Sequence, residues 1–275
     1  MLTWQEIVQN YIAKYHNIVK KTTQPLKDHF GIGYFTYHKI DNQNRYTVLV
    51  DRPDWAEYYV QEKIYLNDPY LRQASNYHSG MCLVEHNGSE EYKEMVIKAG
   101  KNVLDMDLGV LLIKKNKNGV EFFGFSANRK KSALEQIFLN EPHLLHSFAN
   151  HFKKNTIKLL QKMDEESNNL FNLKGVDSLV NHSIKTTIEN TTRFTFLNAI
   201  GMNHEVDQLN RLSQREKECL KLTGSNKTAK EIALILKLSH RTVESYIENI
   251  KIKLDCSTKQ DLQKMAQIFD ELKLF

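Results

Sequence analysis

The stretch from Leu212 to Thr258 restricts the fold of this chain most, because it announces three helix starts in quick succession. Ser213-Gln214-Arg215-Glu216 is a capping box: the serine hydroxyl accepts from the amide of Glu216, and the glutamate reaches back to the amide of Ser213. Thr223 to Asn226 is a Gly/Ser/Asn turn, and Lys227-Thr228 opens a second helix with Ile232, Ala233, Ile235 and Leu236 on one side. Ser239 caps a third helix, in which Val243, Ile247, Ile250 and Leu254 recur at helical spacing. The tight turn at Lys237-Leu238 joins the last two helices into a helix-turn-helix. Opposite its apolar stripe the third helix presents Arg241, Ser245, Glu248 and Ile252, with Glu244 and Asn249 on the shoulders. A major groove about 12 Å wide admits one such helix. The alternative is a small helical bundle that binds protein.

At these residues the stretch resembles the LuxR/GerE-type DNA-binding domain of bacterial transcription regulators. The matching text is Leu212-Ser213-x-Arg215-Glu216, Lys227-Thr228-Ala229-Lys230-Glu231-Ile232-Ala233, Leu238-Ser239-x-Arg241-Thr242-Val243-Glu244 and Ile250-x-x-Lys253-Leu254. The resemblance implies four helices, the fourth over Thr258 to Phe269 and often used in dimerisation. Many family members carry Lys or Arg at the positions of Glu244 and Glu248, and both are acidic here. Glutamate accepts from cytosine N4 but repels phosphate, so this departure affects which bases are read. The expected base-edge contacts are Arg241, Ser245, Glu248 and Asn249, with Glu244 next. The expected phosphate contacts are Thr228, Ser239, Thr242, Lys251 and Lys253, with Lys227 beside them.

A length of 275 residues suggests one large and one small domain. The net charge of +5 is too modest to prove a nucleic-acid partner by itself. Cys82, Cys219 and Cys256 lie far apart without metal spacing, which fits a reduced compartment. The start MLTWQEIVQN does not read as a secretory signal, and no window approaches a membrane span. Together these predict a cytoplasmic protein that does not use a membrane. His143, His146 and His151 flank one helix but lack a further ligand at metal spacing, so neither a metal nor a cofactor is expected. The sequence contains no P-loop, G-x-G-x-x-G or G-x-S-x-G, and no enzyme is expected.

Before residue 163 the pattern alternates between helices and hairpins. Trp4 to about Lys21 is amphipathic. Gly33–Ile40 and Tyr46–Val50 are strands about the turn Asp41-Asn42-Gln43-Asn44. Pro53 to Ile64 is a helix with proline in its first turn, Gly80 to Val84 a short strand, and Ser89 to Ala99 a helix. Leu108–Lys114 and Val120–Ser126 flank Asn118-Gly119, a hairpin signal. A helical stretch then runs from about Ser132 to Met163, interrupted near Pro142. The expectation is an α/β sensor domain over residues 1–163: an α-β-α sandwich with a mostly antiparallel five-stranded sheet covered on both faces. An all-α helix-turn-helix domain of four helices follows over residues 208–275.

Within the first domain stands Trp55-x-x-x-Tyr59, followed nine residues later by Asp68-Pro69. Trp55 and Tyr59 are one helical turn apart, so both rings point the same way. An indole N–H donates, a carboxylate accepts and a phenol does either, so the three can surround a polar head group. Helix packing with an Asx-type turn is the plainer alternative. The order of elements and this motif resemble the acyl-homoserine-lactone-binding domain of LuxR-type quorum-sensing regulators. That resemblance implies that Trp55 bonds a lactone carbonyl, Asp68 an amide N–H, and Ser126 the acyl carbonyl, with Tyr59 lining the pocket. It places Asp51 where the family usually has a tyrosine, and Leu83 where it has a second tryptophan. It therefore leaves open a different acyl chain or another small molecule, with a donor or cationic group near Asp51.

Residues 164–207 read as a linker, longer than is usual for the family, with an alternating stretch Arg193–Leu197 that suggests a small β-ribbon. The expected whole is a homodimeric transcription regulator that binds double-stranded DNA and senses an acyl-homoserine lactone or related signal. The alternatives are a PAS- or GAF-like sensor of a different ligand, a phosphorylation-driven response regulator, and a ligand-independent dimeric regulator.

Overall fold

The computed structural model describes residues 3–166, 168–170, 173 and 188–275. It divides into two compact units, Met1–Thr187 and Ile188–Phe275.

In the first unit, α1 (Trp4–Ile7) opens on a Thr3/Glu6 capping box and passes through a π-helical turn, Val8–Ala13, into α2 (Lys14–Phe30). The helix runs on through Pro25 and ends where Gly31 takes a left-handed conformation. β1 (Tyr34–Asp41) and β2 (Arg45–Val50) form the first hairpin. Asp41 builds its turn by accepting from the amides of Gln43 and Arg45 at 2.8 and 2.9 Å. Next come α3 (Pro53–Gln61), β3 (Gly80–Leu83), α4 (Glu90–Leu104), β4 (Leu108–Asn116) and β5 (Gly119–Ala127). The second hairpin turns one residue earlier than Asn118-Gly119 suggests: Asn116 pairs with Gly119, so Lys117-Asn118 is the turn. Gly119 is required there, because a Cβ would lie 2.3 Å from the Ile40 carbonyl oxygen of β1.

α5 (Leu134–Asn140) and α6 (Pro142–Glu166) complete the layer, and the pair β6 (Asn168–Asn169) adds to β2. The sheet order is β3-β4-β5-β1-β2-β6, antiparallel at every junction. The five expected strands are present, with β6 as a two-residue extension at one edge. Strand alternation divides the apolar residues into two cores. Phe35, Tyr37, Leu49, Val110, Phe123 and Phe125 pack against Val19, Leu26, Ala149 and Phe152, from α2 and α6. Tyr34, Ile40, Val48, Leu111 and Phe122 face the other way, toward Trp4, Ile7, Ile12 and Ala56. One continuous N-terminal helical run thus serves both cores, its start on one face and its end on the other. Helices cover both faces, as expected.

In the second unit, α7 (Asn190–Ala199) and α8 (Asn203–Asn210) precede α9 (Gln214–Gly224), α10 (Ala229–Leu236), α11 (His240–Leu254) and α12 (Lys259–Glu271). The expected β-ribbon at Arg193–Leu197 is therefore helix. Phe194 and Leu197, one turn apart, both pack into the core of this unit, and that packing outweighs the five-residue alternation. The start of the expected linker belongs to the first unit. Asp164 accepts from Lys39 Nζ at 2.5 Å, and Asn169 pairs with Arg45 in the sheet. Its end, from Ile188, belongs to the second, and residues 174–187 lie outside the described ones. Among the described residues no helix is long and apolar enough to cross a membrane, and no cluster of His, Cys, Asp and Glu fits a metal ion.

Candidate ligand pocket and helix-turn-helix surface

Between the sheet and the α3–α4 layer lies a cavity of about 150 Å³, bounded by Tyr34, Thr36, His38, Tyr46, Val48 and Ser126 from the sheet. Trp55, Tyr59, Val60, Asp68, Tyr92 and Val96 line it from above, and Trp4, Ile7 and Ile12 close one end. A smaller lobe of about 70 Å³ shares Tyr34, Trp55, Val84, Tyr92, Val96 and Ser126. The surface is mostly hydrocarbon and aromatic, with a few polar groups converging on it, as in small-molecule sites.

Asp68 is the most constrained of these groups. It is buried, accepts from the Tyr59 hydroxyl at 2.5 Å and from the Tyr70 amide at 2.7 Å. The Tyr77 hydroxyl holds the following loop, donating to the Pro69 carbonyl and accepting from the Arg72 amide. Burial first, and the Asp68 charge second, push the Tyr59 and Tyr92 hydroxyls well above the ordinary phenol range, so both stay protonated donors. Trp55 meets Tyr34 edge-on at 6.3 Å and stacks on Tyr58 at 5.9 Å. Its indole N–H has no protein partner among the described residues. Ser126 stands at the end of β5 between Tyr34 and Gly109. A Cβ on Gly109 would press on Val84 at 3.0 Å, so a small residue keeps this corner open. Trp55, Tyr59, Asp68 and Ser126 are thus gathered at one cavity.

Asp51 and Leu83 are not. Each is an odd-numbered neighbour of a cavity-facing residue, Val50 and Val84, and the pleat turns it to the opposite side. Leu83 packs in the core under α6. The Asp51 carboxylate accepts from the Phe35 amide at 2.9 Å and faces a groove with His16, Lys20 and Thr23 of α2. Burial pushes it up to about 6. The cavity that Asp68 lines does not include Asp51, so the donor or cationic ligand group expected near Asp51 has no counterpart there. Tyr34, His38, Tyr46 and Tyr92 line the cavity without having been anticipated. For the first two the signal was present, since Tyr34, Thr36, His38 and Ile40 alternate along one strand.

In the second unit the capping boxes form as spaced. Ser213 accepts from Glu216 and Glu216 Oε2 from the Ser213 amide at 2.7 Å; Thr228 and Glu231 repeat the arrangement. Lys237 takes a left-handed conformation at φ 55°, ending α10 and turning the chain into α11, which Ser239 caps by accepting from Thr242 at 3.0 Å. Val243, Ile250 and Leu254 are buried, while Arg241, Glu244, Ser245, Glu248, Asn249 and Ile252 are exposed along the other side. Thr228 and Ser239 are also exposed, with Lys227 and Thr242 half-buried. Both glutamates have local partners: Glu248 holds Lys251 at 2.8 Å, and Glu244 lies 3.5 Å from the His240 ring. Arg241 makes no ion pair among the described residues, which leaves its guanidinium for an outside acceptor.

Lys253 differs from its expected phosphate role. Its Nζ lies 2.7 and 2.9 Å from the two Glu216 oxygens, and Glu216 is buried. Burial pushes the Glu216 carboxyl up, but Lys253 and the Ser213 amide and hydroxyl more than offset it and hold it below 4.5. Lys253 therefore clamps the recognition helix to the capping box of α9.

Residues 210–266 match the family model described as "Bacterial regulatory proteins, luxR family". Over 48 residues the chain is 46% identical to the quorum sensing-dependent transcriptional regulator VjbR of Brucella abortus, covering 18% of each protein. It is equally identical over 48 residues to the transcriptional activator SolR of Ralstonia solanacearum, covering 18% of this chain and 20% of that one. Over 78 residues it is 38% identical to the response regulatory protein YgeK of Escherichia coli, covering 26% of this chain and 53% of that one. The matches thus span about a fifth to a half of these relatives. Among solved structures, Escherichia coli SdiA aligns over 97% of this chain and 91% of its own, with 17% identity and a TM-score of 0.36. Residues 210–266 of this chain are a helix-turn-helix domain of the luxR family of bacterial regulatory proteins.

Proposed function

We propose that the chain is a transcription regulator whose first unit binds an acylated small molecule, an acyl-homoserine lactone or a relative of it, and whose second unit binds duplex DNA. The observation that carries this reading is the apolar cavity with the unpartnered Trp55 N–H and the Tyr59–Asp68 pair on its wall, in a chain with a luxR-family domain. Asp68 accepts from an amide N–H, Trp55 donates to a carbonyl, Ser126 serves a second carbonyl, and the hydrocarbon walls take a chain. A receiver domain, as the name of YgeK would suggest, needs parallel strands with crossover helices. Antiparallel pairing throughout the sheet favours the ligand pocket instead. In the second unit, Arg241, Ser245, Glu248 and Asn249 read base edges, while Thr228, Ser239 and Thr242 meet phosphate beside the helix N-termini. One recognition helix reads too few bases for a unique site, so the working form is a homodimer on a two-fold operator.

The test is thermal unfolding of the full-length protein with N-acyl-homoserine lactones of increasing chain length. At least one should raise the first unit's transition, and Asp68→Asn or Trp55→Phe should abolish the rise. A panel that leaves the transition unmoved refutes the lactone reading.

A further inference from the structure

Along the wall of the cavity lies a polar group with nothing to bond. His38 sits midway along β1, with Val48 and Phe122 as its cross-strand neighbours. It is 8% exposed, and its ring lines the cavity. The ring meets Phe122 edge-on at 4.4 Å and lies 6.1 Å from Tyr46. Its Nε2 has no hydrogen-bond partner among the described residues. Around it on this face stand the apolar or aromatic Ile40, Val48, Phe122 and Ile113, and the Thr36 hydroxyl two residues earlier on the strand makes no hydrogen bond to the ring among the described residues. Burial drives the imidazole down to about 3, so the ring is neutral and offers one donor and one acceptor. A buried polar group left without a partner is costly, and a hydrocarbon of similar size would be more stable in the empty protein. A ligand that supplies the missing partner gives the histidine a purpose that packing does not.

The position of His38 along the strand sets where on the ligand that partner lies. Tyr34, whose ring abuts Trp55, is four residues earlier on the same face. At about 3.3 Å per residue, His38 lies roughly 13 Å beyond it. We propose that His38 determines ligand specificity by hydrogen-bonding a second polar group, a hydroxyl or a carbonyl, carried on the ligand's chain roughly 13 Å from the Tyr34–Trp55 end. The preferred signal is then polar at two points, its head group and one substituent on an otherwise apolar chain. This rests on the reading of the cavity as an acyl-ligand pocket. A neutral imidazole can donate or accept at Nε2, and which tautomer the site holds decides between a keto and a hydroxyl substituent.

The experiment is calorimetric titration of the full-length protein with N-dodecanoyl-homoserine lactone and chain-matched probes. Each probe carries a single hydroxyl or keto group at one carbon of the chain. The wild-type protein should bind one substituted probe about tenfold more tightly than the plain chain, the value of one hydrogen bond to a buried partner. His38→Leu should erase that preference while binding the plain chain at least as well, and His38→Gln should restore part of it. The unliganded His38→Leu protein should melt no lower than wild type. If the probes bind but the wild type never prefers a substituted chain, or His38→Leu keeps the preference, the assignment of His38 is overturned and the pocket reading survives. If no probe binds, both are overturned.

Discussion

Replacing Lys253 by methionine separates a structural from a nucleic-acid role in one residue. The ammonium is 2.7 and 2.9 Å from the Glu216 oxygens, whose side chain is 4% exposed, while the Lys253 side chain is 38% exposed. Removing one member of a fully buried pair costs about 3–5 kcal/mol. Water can reach the lysine end here, so most of that is recovered by solvation, and a loss of about 1–2 kcal/mol is expected. For a unit of this size each kcal/mol shifts the melting temperature by roughly 4–8 °C. Calorimetry of the full-length chain should therefore show the second unit's transition lowered by roughly 5–15 °C, with the first unchanged. Glu216→Gln still accepts the Ser213 amide bond, and in the double variant the two losses should be markedly sub-additive. The linkage has a definite sign. The folded Glu216 carboxyl titrates below 4.5, so its contribution is present above that value and lost as pH falls through the lower folded one. The wild-type advantage over Glu216→Gln should fade on acidification. An unchanged melting temperature, with the salt slope of DNA binding reduced by about one, would return Lys253 to the phosphate and refute the clamp.

Two further predictions concern single residues. Asp51 titrates near 6 because of burial, above the 3.8 of a free carboxyl, so its contribution favours folding below the lower value and is lost as pH rises through the upper. Asp51→Asn should flatten that slope and stabilise the first unit at pH 7, by at most about 3 kcal/mol at roughly 1.4 per pH unit, as thermal unfolding between pH 4 and 8 would show. It should leave lactone binding intact, since Asp51 faces away from the cavity. Glu248→Ala should change which duplexes are enriched in selection from a randomised library, with little effect on stability. A uniform change in affinity across sequences would remove Glu248 from base readout.

Local chemistry made the helix-turn-helix legible. Ser213/Glu216 and Thr228/Glu231 are reciprocal caps three residues apart, and the structure closes both. Asp41 to Asn44 and the turn before Gly119 fixed two hairpins, and so the antiparallel sheet. What the sequence withheld depends on distance or on parity. Lys253 and Glu216 are 37 residues apart, and no local pattern pairs them. The family resemblance pointed to Asp51 and Leu83, each one residue from a cavity-lining valine, and a step of one residue reverses the face in a strand. Arg193–Leu197 alternates as a strand would, yet Phe194 and Leu197 also share a helix face, and burial against the second unit's core selects the helix. His38 shares an alternating strand face with Tyr34, Thr36 and Ile40, but only the two cores showed that this face, not the other, lines the cavity.

We propose that occupancy of the first unit's cavity sets DNA binding by the second. The direct measurement is the affinity of the full-length protein for a duplex it selects itself, before and after the stabilising lactone is added, in wild type and in Asp68→Asn. The affinity should change by at least about fivefold with ligand, the low end of allosteric couplings, and not at all in the variant. Equal affinities with and without ligand in a wild-type protein shown to be saturated would contradict it.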